Sequence, residues 1–218
     1  MYFRQLHTPQ LRAFTYVIAD LRIRDALVID PQPEQDELLL ALLVERDLHL
    51  TRVLHTHIHS GDSSHCADIR RHTGAELVVG HGTPSTDAQR VVRHGDTIDL
   101  GDELLRVLAT PGHTAGSVSY LWRDRLFCGD ALVIRGCSGV DDPSGDPRRM
   151  YDSVTRRIFV LADETLLFPG HECDGRSVST IAEERTYNHY FSGNSRDAFA
   201  THVAQLPQPI PGGSPTAH

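Results

Sequence analysis

The stretch that decides the fold reads Thr56-His57-Ile58-His59-Ser60-Gly61-Asp62. It follows a short apolar run, Val53-Leu54, which is typical of a buried strand. Two imidazoles at i and i+2 can leave the end of such a strand on the same side and meet one ion, and histidine is the commonest metal ligand in proteins. The stretch therefore predicts a metal-binding loop at a strand end.

The second half of this loop is altered relative to loops that bind two ions. Those loops read His-x-His-x-Asp-His, whereas Gly61 and Asp62 stand at the last two positions here. A slip of one residue would let Asp62 supply the carboxylate, but Ser63 would then stand where an imidazole is needed. His65 could approach from the next turn. The sequence predicts one well-formed metal site and leaves open whether Asp62 or His65 rebuilds a second.

Composition bounds the class of protein. A chain of 218 residues with 39% hydrophobic and 23% charged residues fits one soluble globular domain. A net charge of -8 argues against a nucleic-acid partner. We find no apolar run near the roughly 20 residues that span a bilayer and no secretory signal at the start. We therefore expect a cytoplasmic protein without a membrane or nucleic-acid partner.

The cysteines do not indicate a metal site, whereas the number of histidines does. Cys66, Cys128, Cys137 and Cys173 show no Cys-x-x-Cys pairing, so neither a thiolate zinc site nor a disulfide framework is indicated. The chain has 14 histidines, an excess that metal binding would explain in part.

The order of apolar segments predicts sheet and helix, then sheet and helix again. This order fits two sheets packed face to face with helices outside, an α/β (α+β) four-layer αββα sandwich over residues 1–205, with 206–218 as a Pro/Gly-rich tail. The predicted strands cover 14–19 and 26–30 as a hairpin, then 52–56, 76–79, 97–100, 104–109, 117–121, 125–128 and 165–168, with 97–128 forming an antiparallel sheet; the predicted helices cover 34–47, 63–72, 148–161 and 177–188.

Three more loops carry metal-ligand residues just after predicted strands. They read Thr110-Pro-Gly-His113-Thr-Ala-Gly116, Cys128-Gly-Asp130 and Phe168-Pro-Gly-His171. Glycine lets the backbone come close to an ion in such turns. A lone Pro-Gly-His would be weak, but the ordered set predicts that these loops meet the His57 loop at one site.

This constellation resembles the metallo-β-lactamase superfamily over nearly the whole chain before the tail. More narrowly it resembles the persulfide dioxygenases, the ETHE1-like sulfur dioxygenases. The stretches that carry the narrower resemblance are Phe3-Arg-Gln-Leu6, Gly129-Asp-Ala-Leu-Val-Ile-Arg-Gly-Cys137, and Val178-Ser-Thr-Ile-Ala-Glu-Glu-Arg185 with Asn188.

The resemblance implies one Fe(II) per chain, held by His57, His113 and Asp130. Two imidazoles and one carboxylate leave open positions for substrate and O₂. His59, His171 and Asp62 would then take part in catalysis by fixing the tautomers of the ligands or ordering water.

Three departures from the family fall on the substrate side. Gly61-Asp62 replaces an Asp-His pair, Gly139 stands where the family has arginine, and Cys173 stands where it has tyrosine. We take Arg135, Cys137 and Cys173 as the candidate residues of the substrate pocket.

Three functions are compatible with the sequence. The first is a persulfide dioxygenase that oxidises glutathione persulfide or a related thiol persulfide with O₂ toward sulfite. The second is a zinc-dependent thioester or lactone hydrolase of glyoxalase II type, which loss of the Asp-His pair disfavours. The third is a metal-bound sensor or binding protein with little turnover. The sequence does not fix the oligomeric state, for which a homodimer is one candidate.

Overall fold

The structure is a computed structural model that describes residues 1–60, 67–84, 87–140 and 142–206. The predicted tail beyond residue 206 and the predicted start of the second helix lie outside these ranges. The strands are β1 Tyr2–Thr8, β2 Ala13–Asp20, β3 Asp25–Ile29, β4 His49–Leu54, β5 Glu76–Gly80, β6 Arg90–Val92, β7 Thr97–Leu100, β8 Glu103–Ala109, β9 Val118–Trp122, β10 Arg125–Gly129, β11 Leu166–Pro169 and β12 Ser179–Thr180; the helices are α1 Asp36–Glu45, α2 Ala67–Thr73, α3 Pro147–Ser153, α4 Ile181–Tyr187 and α5 Arg196–Ala204.

The strands form two mixed sheets. The first has the order β1-β2-β3-β4-β5-β6, antiparallel up to β3 and parallel from β3 to β6. The second has the order β12-β11-β10-β9-β8-β7, and its strands β7 to β10 are antiparallel, as predicted. β11 joins β10 in parallel because the chain crosses over through α3 before it returns.

This topology brings the ligand-bearing loops together. β8 and β10 are both antiparallel to β9, so they run parallel to each other, and β11 runs parallel to β10. The loops after β8, β10 and β11 therefore leave the second sheet at one edge. The end of β4 in the first sheet meets the same edge, because Val118 N donates to Thr56 O at 2.8 Å and Tyr120 Oη donates to His55 O at 2.9 Å.

Three apolar layers stabilise the sandwich, as the four-layer prediction requires. The layer between the sheets includes Tyr16, Leu54 and Val78 from the first sheet and Tyr120 and Phe127 from the second. A second layer lies between the first sheet and α1 and α2, and a third between the second sheet and α3, α4 and α5. Burial of apolar area in these layers is the main force that holds the two sheets against each other.

Several predicted boundaries differ from the structure. The helix predicted over 177–188 begins later, since Ser179 and Thr180 first pair with β11 and Thr180 then caps α4 by accepting from Glu183 N at 3.2 Å. The helix predicted over 148–161 changes after α3 into a π-helical turn, Val154–Ile158. The helix predicted over 34–47 begins with a 3₁₀ turn, Pro33–Gln35.

Three elements were not predicted at all. β1 has a mixed burial pattern at the edge of its sheet, and β6 is only 3 residues long. α5 buries Phe199, Ala200 and Val203 on an otherwise polar helix. In each case packing against a neighbouring element stabilises the segment, and the local pattern of residues does not reveal that packing.

Candidate metal centre

His57 is oriented by a chain of hydrogen bonds that starts at the end of β3. The Asp30 carboxylate accepts from Thr56 N at 2.8 Å and from Thr56 Oγ1 at 2.7 Å. Because that hydroxyl donates to Asp30, its oxygen is left to accept from Nδ1 of His57, 3.0 Å away. The proton on Nδ1 leaves Nε2 of His57 with a lone pair that can bind a metal.

His113 is oriented in the same way by a backbone carbonyl. Its Nδ1 donates to Gly139 O at 2.8 Å, so its Nε2 carries the free lone pair. The preceding residue, Gly112, has φ +149°, and a Cβ placed there would lie 2.2 Å from Cα of Met150. The loop can therefore pass α3 closely enough to place His113 only with glycine at this position.

Asp130 and His171 form a pair at the ends of β10 and β11. Nδ1 of His171 lies 2.8 Å from Oδ1 and 2.9 Å from Oδ2 of Asp130. A Cβ on Gly170 would lie 2.5 Å from Oδ1 of Asp130, and a Cβ on Gly129 would lie 2.2 Å from Oγ1 of Thr56. These glycines leave the space in which the carboxylate and the His57 loop approach each other.

Three of the loops bring their ligand atoms to one point. The ligand atoms of His57, His59 and His113 all lie within 4.8 Å of one another, and the Nε2 atoms of His59 and His113 are 3.1 Å apart. Oδ2 of Asp130 lies 3.8 Å from Nε2 of His57 and 3.7 Å from Nε2 of His113. A single ion can therefore be reached by His57 and His113 together with either His59 or Asp130.

The local charges favour the protonation states that bind a cation. Burial lowers the pKa of the His57 imidazole well below its usual value, against the opposing charge of Asp130. Burial would raise the pKa of Asp130, but the nearby imidazoles of His171, His57 and His113 hold it well below its usual value. Burial would lower the pKa of His171, but the charge of Asp130 and the hydrogen bond to it raise that pKa instead. His57 is thus neutral and Asp130 ionised near neutral pH, as metal ligands must be.

The residues present fit a metal ion. Neutral imidazoles with their lone pairs turned inward and a carboxylate beside them suit iron or zinc, and a buried group of this kind would be costly to assemble without a cation. The structure thus supports a metal centre at the predicted loops, with a ligand set that both iron and zinc accept.

Comparison with known proteins agrees with this architecture. The sequence model described as the metallo-beta-lactamase superfamily matches residues 63–171. Persulfide dioxygenase ETHE1 of Homo sapiens, a mitochondrial protein, is 35% identical over 188 residues, which are 85% of this chain and 74% of that protein.

The chain belongs to the metallo-β-lactamase superfamily. Within the superfamily, the crystal structure of ETHE1 from Myxococcus xanthus has a TM-score of 0.91 at 42% identity, covering 98% of this chain and 95% of that one. Hydroxyacylglutathione hydrolase of Vibrio cholerae is 35% identical over 159 residues, 72% of this chain and 61% of that enzyme. These similarities confirm the predicted fold and place the chain in the persulfide dioxygenase branch, as an enzyme of the oxidoreductase class.

Two of the candidate pocket residues, Arg135 and Cys137, lie on the helical side of the second sheet. Arg135, at φ +57°, directs its guanidinium to α4, with Nε 3.3 Å from Oε1 of Glu184. Cys137 and Cys173 are buried thiols. Burial raises the pKa of Tyr190, with smaller contributions from Cys137 and Cys173. Contact of these groups with a substrate stays a prediction.

Some predicted residues lie outside the described part of the chain, and some functional ones were missed. Asp62 and His65 fall in 61–66, which the structure does not describe. The residues that were missed are those that orient the metal-ligating side chains by hydrogen bonds. Asp30 could have been suspected as a carboxylate directly after a buried strand, whereas the carbonyl of Gly139 has no sequence signature. Among the described residues, no helix is long and apolar enough to cross a membrane.

Proposed function

We propose that the protein is a mononuclear Fe(II) sulfur dioxygenase that oxidises a low-molecular-weight persulfide with O₂ toward sulfite. The observation that carries the proposal is the group of His57, His113 and Asp130 around one point, with Asp130 held by His171. Two histidines and one carboxylate are the ligand set of non-haem Fe(II) oxygenases. The similarity to the persulfide dioxygenases supports the same choice.

In this proposal His57, His113 and Asp130 hold the iron. When bound, Fe(II) supplies the redox chemistry that lets a persulfide react with O₂. Conversion of the terminal sulfur of a persulfide into sulfite removes as many electrons as one O₂ accepts; water supplies the third oxygen, and the carrier leaves as a thiol. The overall reaction therefore balances without a further oxidant or reductant.

The protein contributes orientation and protection from water. Thr56 and Gly139 fix the tautomers of His57 and His113, and His171 keeps both oxygens of Asp130 in place by its Nδ1 proton. His113 and Asp130 are almost fully buried, 1% and 2% exposed, so the ligand geometry is set by packing. His57 and His171 retain 12% and 14% of their side-chain exposure, which leaves one side of the site open to a small substrate.

A zinc-dependent hydrolase of thioesters or lactones is the second candidate. The three imidazoles of His57, His59 and His113, whose ligand atoms lie within 4.8 Å, match a zinc site that keeps an open position for water. The similarity to hydroxyacylglutathione hydrolase points the same way. In that function the metal would generate hydroxide near neutral pH.

Metal content and oxygen uptake separate the two functions. Protein purified without oxygen and supplied with iron should hold one Fe per chain and consume O₂ with at least one persulfide from a panel that includes glutathione persulfide. His113→Ala is the control that should lose both iron and uptake. Two zinc ions per chain, with thioester hydrolysis that survives removal of iron, would contradict the dioxygenase and support the hydrolase.

The proposal also concerns which low-molecular-weight thiol carries the persulfide sulfur. Because Gly139 and Cys173 stand where the family has arginine and tyrosine, we expect a weakened response to glutathione persulfide. Each lost polar contact costs on the order of 1–3 kcal/mol, so kcat/KM for glutathione persulfide should rise when Gly139→Arg and Cys173→Tyr are combined. No rise would favour another thiol carrier. A cytoplasmic location and a homodimer stay predictions for cell fractionation and for size measurement in solution.

A further inference from the structure

The loop after Ser138 binds to both histidine loops of the metal centre. The carbonyl of Gly139 accepts from Nδ1 of His113 at 2.8 Å. Three residues later, Oδ2 of Asp142 accepts from the backbone N–H of Ser60 at 2.6 Å. Ser60 directly follows His59, so one loop from the second sheet contacts the loop that follows the first sheet and the loop that carries His113.

The carboxylate of Asp142 is fully engaged in this contact. Its Oδ1 accepts from Ser144 N at 2.8 Å and from the Ser144 hydroxyl at 2.5 Å. That hydroxyl accepts in turn from Ala115 N at 3.0 Å. Asp142 is only 6% exposed, so water does not replace these bonds when they are lost.

The contact matters because His59 and His113 come from different sheets. Their Nε2 atoms are 3.1 Å apart, although the two residues are 54 positions apart in the chain. Asp142 and Ser144 join Ser60, next to His59, to Ala115, two residues after His113. Oδ2 of Asp142 binds Ser60, and Oδ1 binds Ala115 through the hydroxyl of Ser144. These hydrogen bonds fix the distance between the two imidazoles.

We propose that Asp142 is a positioning residue of the metal centre, which places His59 against His113 by binding the backbone of Ser60. This inference rests on the metal centre of the proposed function, where His59 lies against the ligand His113, but not on the identity of the substrate. It assigns a role to a residue that lies next to the altered family motif and that the sequence did not single out.

The hydrogen bonds to Asp142 also explain its ionisation. Burial would raise the pKa of Asp142, but the hydrogen bonds from Ser144 and Ser60 lower it to about 2. The carboxylate is therefore charged at every pH at which imidazoles can bind a metal, and its hydrogen bonds are of the stronger, charge-assisted kind.

Titration of the metal-free protein with Co(II), followed by its visible absorption, tests the proposal without any measurement of turnover. Asp142→Ala should weaken Co(II) binding by about 10–100-fold and change the spectrum toward that of His59→Ala. The double variant should show no further change, because both substitutions remove the same imidazole from its place.

Asp146→Ala is the matched control. Asp146 lies in the same loop and also accepts from two backbone N–H groups, those of Arg148 and Arg149 at 2.8 and 3.2 Å, but it caps α3, and its side chain makes no hydrogen bond to the described part of either histidine loop. It should lower thermal stability and leave the Co(II) affinity and spectrum unchanged.

Further variants keep the test decisive if Asp142→Ala fails to fold. Asp142→Asn retains one acceptor oxygen and should bind Co(II) with an affinity between those of the wild type and Asp142→Ala, whereas Ser144→Ala should reduce affinity by a few-fold. Wild-type affinity and spectrum in both of these variants would overturn the proposal, as would additive effects of Asp142 and His59 substitutions. Wild-type protein that binds no Co(II) would instead refute the metal centre itself.

Discussion

Nδ1 of His171 lies 2.8 Å from Oδ1 and 2.9 Å from Oδ2 of Asp130, although the two residues follow different strands. One ring nitrogen thus faces both oxygens of the carboxylate. His171 is therefore placed to hold Asp130 rather than to replace it, and this relationship separates the expected effects of the two residues.

Replacement of His171 should weaken the site without emptying it. His171→Ala removes the N–H that orients Asp130 and should lower metal affinity by about 10–100-fold and activity with it. His113→Ala and Asp130→Ala should abolish metal binding, because each removes a ligand. His171→Asn, which returns an amide N–H, should recover part of the loss. Metal content after dialysis measures these effects. A complete loss of metal in His171→Ala would show that His171 is itself a ligand.

Replacement of Thr56 should act on the metal through His57. Thr56→Val removes the hydroxyl that lies between Asp30 and Nδ1 of His57, so we expect metal affinity to fall by about 10–100-fold. Thr51→Val, on the strand that precedes the His57 loop, is the control, since its hydroxyl donates to Ala26 O at 3.0 Å. Each variant should lose about 1 kcal/mol of unfolding free energy. Equal metal affinity in the two variants would show that the Thr56 hydroxyl does not orient His57.

A methyl group at position 170 should displace Asp130. The Cβ of Gly170→Ala would lie 2.5 Å from Oδ1 of Asp130 and 3.2 Å from the carbonyl carbon of Gly129, too close for either to remain in place. We expect loss of metal binding with the fold retained, measured by metal content and circular dichroism. Gly175→Ala, where nothing lies within 4 Å, should keep its metal in spite of φ +73° at that residue. Full metal content in Gly170→Ala would show that the loop can relax.

The described cysteines should be unreactive in the folded protein. Burial raises the pKa of the Cys128 and Cys137 thiols, and burial with the charge of Asp174 raises that of Cys173. A raised pKa keeps the thiol protonated as pH increases, so alkylation of these residues should stay slow from pH 7 to 9, where a free cysteine ionises. Mass spectrometry after iodoacetamide treatment, with protein in urea as the control, measures this. Rapid labelling of Cys173 in the native protein would instead support an accessible thiol in the pocket.

The buried carboxylate of Glu184 should be needed for stability. It accepts from Arg135 N at 2.8 Å, Asn188 Nδ2 at 3.1 Å and Ser179 Oγ at 2.7 Å, and it is 0% exposed. Glu184→Ala leaves these buried donors without their acceptor and leaves Arg135 with the more distant Glu183, 3.7 Å away, which should cost about 3–5 kcal/mol of unfolding free energy in urea. Its neighbour Glu183, with a half-exposed side chain, is the control and should change stability by less than about 1 kcal/mol when replaced by alanine. Equal losses of unfolding free energy in the two variants would show that burial of Glu184 does not explain its contribution to stability.

The residues alone determined the class of the protein. The His57 and His59 pair, Pro-Gly-His113, Gly-Asp130 and Pro-Gly-His171 each carry their chemistry in a few adjacent residues, and each follows an apolar segment that forms a strand. Such local patterns survive in the sequence because strand ends and glycine turns are set by neighbouring residues. The sandwich, the superfamily and the presence of a metal centre could be predicted for that reason.

Only the tertiary structure decided how the ligands are held. Asp30 at the end of β3 contacts Thr56 beyond the end of the neighbouring strand β4, the carbonyl of Gly139 reaches His113, and Asp142 reaches the backbone beside His59. Two of these three contacts use a backbone atom, which every residue type carries and no sequence pattern marks. Arg135 likewise turned toward α4 because Glu184, 49 positions away, is buried beside it. Long-range packing, which places atoms of distant residues within bonding distance, fixed these relationships.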